Sequence, residues 1–158
     1  MANQIYDSLK TGLLDGTIDL LNDDIYVLLV QEYNTEVTTN VTELSGTISF
    51  EYSGTSGTEL TETSGVNYVA GGYELTNKAV SAGSDGTIYL DADDITISAS
   101  PEITTITTGG LLLYKKLTPL GSSVPLAYMD FGVDQVSENG PFKIQWHSTG
   151  IISLETKT

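Results

Sequence analysis

The amino-acid sequence predicts an all-β fold, in the form of a single-domain β-sandwich that is jelly-roll-like or immunoglobulin-like. Phe142, Ile144 and Trp146 alternate with polar residues, which is the two-residue period of a half-buried strand. Turn residues recur about every 8–12 positions, as they do between the strands of sandwiches and barrels. β-branched and aromatic residues, which favour strands, are frequent. Together these observations indicate roughly eight or nine strands.

The length and composition fit one domain covering residues 1–158. A chain of 158 residues can bury a core without cross-links, and this one has no cysteine. Neither a disulfide framework nor a thiolate metal site is therefore expected. The first residues, MANQIYDSLK, lack a basic stretch followed by an apolar core, so we expect no secretion signal.

A short helix is predicted over residues 3–14, and residues 1–16 are a candidate N-terminal arm. Asn3 is suited to cap a helix, and Gly16 is suited to end it. The apolar residues between them recur every four positions, as on one face of a helix: Ile5, Leu9 and Leu13. A strand over the same residues is the alternative interpretation.

Two continuous apolar runs predict central strands that are covered on both faces. The first is DIYVLLVQE at 24–32, and the second lies at 111–116. Glycines at 65–75 predict a tight turn. Shorter strands are predicted at 88–90, 95–97, 102–107, 126–131 and 142–146, and the strand at 126–131 is expected to end at Gly132.

Residues 34–63 are rich in Thr, Ser, Glu and Gly, and predict a flexible loop or hairpin insertion. Within them TISFEY, at 47–52, alternates apolar and polar side chains and is predicted as a surface strand. A long exposed segment in a compact domain is more often functional than accidental. This segment and residues 1–16 are thus the candidate arms onto a partner.

The net charge of −15, with only six lysines and arginines, argues against direct binding to nucleic acid or to anionic membrane surfaces. Both surfaces are negatively charged and require cationic side chains on the protein. No apolar run approaches the roughly 20 residues that a membrane helix needs. The charge instead favours solubility and weak non-specific association.

Asp91, Asp93 and Asp94 form the one acidic cluster that could hold a metal, and calcium is the ion that its hard oxygen ligands would suit. The cluster lacks the glycine and the distal glutamate of an EF-hand loop. The alternative, which we favour, is an exposed loop in which the acids solvate a turn. No cofactor is expected.

No catalytic motif stands out, and we expect a protein that is not an enzyme. His147 is the only histidine, and the neighbouring Ser148 would point to the opposite face of a strand. No nucleophile elbow, phosphate-binding loop, zinc spacing or dinucleotide fingerprint occurs. His147 is therefore predicted to be a surface residue.

Six residues are candidates for contacts with a partner protein. Tyr52, Tyr68 and Tyr73 lie near predicted loops, where aromatic side chains are available to a partner. Ile5, Leu9 and Leu13 would pack on a partner if they do not close the core of the protein itself.

Several blocks of the sequence, in this order, resemble a family of small virion structural proteins of tailed double-stranded DNA bacteriophages. They cover most of the chain: LLDGTIDLLNDDIYVLLV at 13–30, SGVNYVAGGYEL at 64–75, DADDITIS at 91–98, GGLLLYK at 109–115, LAYMDFG at 126–132 and NGPFKIQWHSTGII at 139–152. The resemblance implies a component of the virion that is assembled in the host cytoplasm.

The resemblance implies, as the leading hypothesis, a capsid decoration or cement protein that binds the phage major capsid protein. Symmetric binding would suit a homo-oligomer, such as a trimer. The second hypothesis is a tail, baseplate or head–tail joining protein. The third belongs to another class, a carbohydrate-binding or host-attachment module, and a small glycosidase or lyase is the weakest.

Overall fold

The computed structural model describes residues 3–31, 41–45, 49–52, 60–83, 86–98, 105–119 and 122–155. In these parts the chain is mostly β-structure, arranged as several antiparallel sheets, with one short helix. The all-β class is therefore confirmed. The helix is α1 (Asp7–Asp15), and the strands are β1 (Gln4–Ile5), β2 (Ile25–Val30), β3 (Val41–Ser45), β4 (Ser49–Tyr52), β5 (Leu60–Thr61), β6 (Tyr73–Glu74), β7 (Ala79–Ala82), β8 (Ile88–Asp91), β9 (Ile95–Ile97), β10 (Thr105–Lys115), β11 (Val124–Glu138), β12 (Phe142–Ile144) and β13 (Ile152–Leu154).

The largest sheet has five strands in the order β1-β11-β10-β2-β6, all paired antiparallel. Strand β2 lies next to β10, with Leu28 opposite Leu112. Five of the six residues of β2 are buried. The prediction of a central strand covered on both faces is confirmed for β2, and also for residues 111–114 of β10.

The two faces of this sheet pack into two separate apolar clusters. Because side chains alternate along a strand, Ile25, Val27 and Leu29 enter the main core. Leu28 and Val30 enter a second cluster on the opposite face, together with Tyr6, Leu112, Tyr114 and Tyr128. Continuous apolar runs are needed here because neither face of the sheet is left to solvent.

The N-terminal residues are part of the core, and the prediction of a free arm at 1–16 is wrong for the described residues 3–16. Strand β1 pairs with β11, where Ile5 lies opposite Ala127. Helix α1 is confirmed, but it begins at Asp7 after Tyr6, and Asn3 does not cap it. Asn3 instead accepts a hydrogen bond from the backbone N–H of Asp130 at 3.2 Å. The helix ends at Gly16, as predicted.

The predicted end of a strand at Gly132 is also wrong. Strand β11 continues through Gly132 to Glu138, because the pairing with β10 shifts register between Thr108 and Gly110. The extra residues of β11 are accommodated as a bulge, in which the backbone N–H of Gly132 donates to the Asp130 carboxylate at 2.6 Å. The described residues of the strand predicted at 102–107, and all but the last residue of the strand predicted at 111–116, belong to one strand, β10.

Three smaller sheets complete the described structure: β12-β9, β13-β8-β7 and β3-β4-β5. Strand β12 is shorter than predicted, since the backbone N–H of Trp146 donates to the Asp94 carboxylate at 3.1 Å. Strand β4 is the described part of the strand predicted at 47–52, and it lies within the predicted insertion 34–63. The flexibility of that insertion stays a prediction.

Candidate functional site

An apolar groove of about 440 Å³ lies on the surface of the described residues. One wall is formed by the end of α1 and the chain that follows it: Leu13, Gly16, Ile18, Asp19, Leu20 and Leu21. The other wall is formed by the β13-β8-β7 sheet, mainly by the face that carries Ile88 and Leu90: Val80, Ile88, Tyr89, Leu90, Ile152 and Leu154. The volume lies within the range of about 300–1,000 Å³ that is typical of binding pockets.

The register of the small sheet explains why its face is apolar. Leu90 lies opposite Val80 on one side and opposite Ile152 on the other. Ile88 lies in the same way between Ala82 and Leu154. Residues opposite one another share a face, so these aliphatic side chains form two adjacent rows.

One part of this face is buried and the other is exposed. Leu90 and Ile152 pack into the protein, with exposures of 3% and 6%. Val80, Ile88 and Leu154 retain exposures of 48%, 48% and 46%, although they are large aliphatic residues. Contiguous exposure of this kind is a mark of a binding surface rather than of a closed core.

The opposite wall is shaped by a compact turn after α1. Ile18 packs against Gly12, where an added Cβ atom would lie 2.4 Å from the Ile18 Cδ1 atom. Asp19 organises the turn by accepting hydrogen bonds from the backbone N–H groups of Leu21 and Asn22 at 3.0 and 3.1 Å. Leu21 is left 46% exposed beside the groove.

The rim of this wall carries negative charge. Hydrogen bonds from the side chain and backbone of Asn22, and from the backbone of Leu21, hold the pKa of Asp19 below its usual range. Hydrogen bonds from the hydroxyl and backbone N–H of Thr17 do the same for the pKa of Asp15. Both carboxylates are exposed, and both are ionised at neutral pH.

Each lysine of the described residues already has a partner within the chain. Lys10, Lys115 and Lys143 form ion pairs, Lys78 donates to the Asp23 carbonyl, and Lys116 lies 4.1 Å from the centre of the Tyr26 ring. Lys115 also donates to the Thr17 carbonyl and helps to lower the pKa of Asp19, so the acidic turn is only partly balanced by the described lysines.

A polar arrangement lies along the side of β2 that pairs with β6, and it includes Tyr68, one of the predicted contact residues. Tyr68 donates a hydrogen bond to the Glu62 carboxylate at 2.9 Å and accepts one from the backbone N–H of Leu29 at 3.2 Å. Glu62 also accepts from the backbone N–H of Gly71 at 2.7 Å. Desolvation by burial raises the pKa of Glu62 and that of Tyr68. The arrangement extends the contacts of β2 beyond its short pairing with β6, beside the bridge between Val30 and Glu62, and its role is structural.

The predicted contact residues of the N-terminus are divided between the core and the groove. Leu9 is completely buried and Ile5 packs against the main core, so neither can be the principal contact of a partner. The physical reason is that they close the protein's own core. Leu13 is partly buried and lines the groove.

The predicted contact tyrosines are engaged within the protein where the structure describes their side chains. Tyr68 and Tyr73 pack edge to face, with ring centres 5.8 Å apart. The Tyr73 hydroxyl donates to the Asn67 carbonyl at 3.0 Å and accepts from the backbone N–H of Val69 at 3.1 Å. Tyr52 belongs to β4, and its side chain lies outside the described residues.

The acidic cluster considered for calcium is divided among separate structural contacts. Asp94 pairs with Lys143 at 2.9 Å, and this hydrogen bond, with one from the backbone of Trp146, lowers the pKa of Asp94. Asp93 accepts hydrogen bonds from Asn77 and Thr76. Asp91 accepts one from the backbone N–H of Ala92. No group of three or more potential metal ligands occurs among the described residues.

His147 is exposed, as predicted, and lies in the turn before Gly150. Its Nδ1 atom is 2.8 Å from the Thr149 hydroxyl oxygen. The contact closes the turn together with a hydrogen bond from the backbone N–H of Gly150 to the His147 carbonyl. Ser148 has no described contact with the imidazole that would make it a nucleophile.

Sequence reasoning missed Val80, Ile88 and Leu154 as candidate contacts. Each lies in a short strand whose apolar residues look like ordinary core positions. These residues come together only because β13 pairs with β8 and β8 pairs with β7. No local sequence pattern shows that pairing. The acidic residues of 15–24 were visible, but only the structure places two of them beside an apolar surface.

No family model, no curated protein and no solved structure matches this chain. In the described part of the chain, no helix has both the length and the apolar character required to cross a membrane.

Proposed function

We propose that this protein is a non-enzymatic structural component of a tailed bacteriophage particle, and that it decorates and cements the capsid. The observation that supports a binding role most strongly is the half-exposed row of aliphatic side chains in the groove of a chain with net charge −15. Charged surfaces keep such a protein soluble, so a contiguous apolar surface is retained for a contact. The resemblance of the sequence to small virion proteins supports the particle as the place of that contact.

Burial of the apolar side chains of the groove can supply the binding free energy for attachment. Val80, Ile88 and Leu154 are half-exposed in the free protein, and a partner that covers them would remove apolar surface from water. Full burial of one such side chain contributes about 1.5–3 kcal/mol. Repeated over many copies on a particle, even a modest contact of this kind adds up to substantial stabilisation of the shell.

The finer architecture belongs to the same proposal. A sandwich of jelly-roll-like or immunoglobulin-like type would present the small sheet and its groove at one side of the domain. A homo-oligomer, such as a trimer, would match the local symmetry at which capsid subunits meet. The major capsid protein is the proposed partner.

Immunogold labelling of purified particles, with an antibody against this chain, tests the proposal. Dense labelling over the heads is the expected result. Labelling confined to the tail would replace the decoration role with a tail, baseplate or joining role. Particles that carry no label would remove the virion role altogether.

A further inference from the structure

We propose that the groove binds an extended aliphatic segment of a partner protein whose flanking residues are basic. The inference deepens the proposed function and rests on it in one respect, namely that the occupant is a protein of the particle. It specifies the chemistry of the contact, which the resemblance does not.

The aliphatic character of the occupant follows from the floor of the groove. Ile88 and Leu154 are opposite one another in register, and Val80 lies on the same face in the neighbouring row. No charged side chain lies between them on this face. An extended chain places alternate side chains on one side, about 6–7 Å apart, and can therefore present a row of aliphatic groups to this floor.

The basic character of the flanks follows from the rim. The carboxylates of Asp15 and Asp19 are exposed and ionised beside the groove. The described lysines nearest to this surface, Lys78 and Lys115, are held by Asp23, through its carbonyl and its carboxylate respectively. Lys115 also donates to the Thr17 carbonyl and helps to lower the pKa of Asp19, so Asp19 is partly balanced within the chain. Asp15, next to the groove residue Gly16, has no such cation among the described residues, and a cation that pairs with it would come from the partner.

The same charges argue against a second copy of this chain as the occupant. Two copies would each bring a net charge of −15. Each described lysine already has a partner within its own chain. Like charges placed opposite one another at an interface disfavour the contact, whereas opposite charges speed association and fix orientation.

A direct test uses two fluorescein-labelled peptides that differ only in their flanks, KKVTITVKK and EEVTITVEE, with binding followed by fluorescence polarisation. We expect the lysine-flanked peptide to bind and the glutamate-flanked peptide to bind at least about tenfold more weakly. Binding of the lysine-flanked peptide should weaken as NaCl is raised, because salt screens exposed charges. Equal binding of the two peptides, or binding indifferent to salt, would overturn the proposal.

Variants locate the binding surface. Ile88→Asp should weaken binding of the lysine-flanked peptide about tenfold or more, while Val133→Asp, at a 68% exposed valine outside the groove, should not. Asp15→Asn should weaken binding by about threefold, whereas Asp134→Asn should leave it unchanged. Asp15→Asn retains an oxygen that accepts the hydrogen bonds from Thr17, so this variant preserves the turn. It therefore still tests the groove if Ile88→Asp proves unstable. Unchanged binding by both groove variants would contradict the assignment.

Two further outcomes separate this inference from the proposed function. A dimer of the free protein in sedimentation, abolished by Ile88→Asp, would assign the groove to a second copy and overturn the inference. Peptide binding at the groove combined with unlabelled particles would leave the inference standing and remove the virion role. Labelled particles combined with no binding of the lysine-flanked peptide would remove the inference alone.

Discussion

Gly72 lies where the chain before β6 passes closest to β2. Its φ of +74° is in the left-handed region, and an added Cβ atom would lie 1.9 Å from the Val27 carbonyl oxygen. Gly86, with a φ of +84°, has open space at the same position. Alanine substitutions at the two glycines therefore distinguish the cost of backbone strain alone, at Gly86, from the cost of strain and a steric clash together, at Gly72.

We predict that Gly72→Ala lowers the free energy of unfolding by about 2–4 kcal/mol, since strain and clash add. Gly86→Ala should lower it by only about 1 kcal/mol. Urea unfolding of both variants measures the difference. Equal losses would mean that the close approach of Gly72 to Val27 is not maintained in solution.

Tyr68 holds the edge of β2 through one hydroxyl group. Tyr68→Phe leaves the backbone N–H of Leu29 and the Glu62 carboxylate without this partner, and should lower the free energy of unfolding by about 1–3 kcal/mol. Tyr73→Phe, which removes more exposed hydrogen bonds, is the control and should cost about 0.5 kcal/mol. Chemical denaturation distinguishes them, and a larger loss in Tyr73→Phe would contradict this account.

Glu62 should make stability depend on pH. Burial raises the pKa of Glu62 in the folded protein above its ordinary value of 4.5, so its stabilising contribution is present below that value and is lost as pH rises through the folded pKa. Glu62→Gln keeps an oxygen for Tyr68 and Gly71 but cannot ionise. We expect the stability of this variant relative to the native protein to increase as pH rises from about 4.5 towards 7. A difference that is constant with pH would show that Glu62 does not titrate in this way.

Helix α1 is held against the rest of the protein by the side chains on its buried face. Leu9 is completely buried in the main core, whereas Leu14 on the same helix is 90% exposed. Leu9→Ala should lower the free energy of unfolding by about 2–5 kcal/mol. Leu14→Ala should change it by no more than about 0.5 kcal/mol. Thermal or chemical unfolding tests this, and a mild effect of Leu9→Ala would return residues 1–16 to the role of a detachable arm.

The same helix shows what the sequence could and could not predict. The spacing of Leu9 and Leu13 and the position of Gly16 are sufficient to place the helix, whereas Ile5 lies in strand β1. They could not show what the apolar side of the helix packs against, because that depends on the pairing of β1 with β11, far away in sequence.

The strands followed a similar rule. Local apolar runs identified β2 and the buried half of β10, since burial on both faces requires continuous hydrophobicity. The predicted end of a strand at Gly132 is wrong because a glycine next to a strand can mark either a turn or a bulge within the strand. Only the register of β10 against β11 distinguishes these, and register is a long-range property.

For the molecule as a whole, the candidate site was the least predictable feature. The negative charge of its rim is expected from the net charge of the chain. Its apolar floor could not be predicted, because it forms only when three short strands pair. We propose that this acidic protein attaches to a larger assembly through its apolar groove. The proposed decoration role and the proposed basic partner segment both assume that the groove is the surface that binds the partner.

Rebinding to particles assembled without this chain tests the central claim most directly. Purified native protein, Ile88→Asp and Val133→Asp would each be sedimented with such particles, after equal folding of the three proteins is verified by circular dichroism. We predict that the native protein and Val133→Asp bind to saturation, and that Ile88→Asp loses at least about tenfold in affinity. Equal binding by all three would contradict the claim that the groove is the surface of attachment.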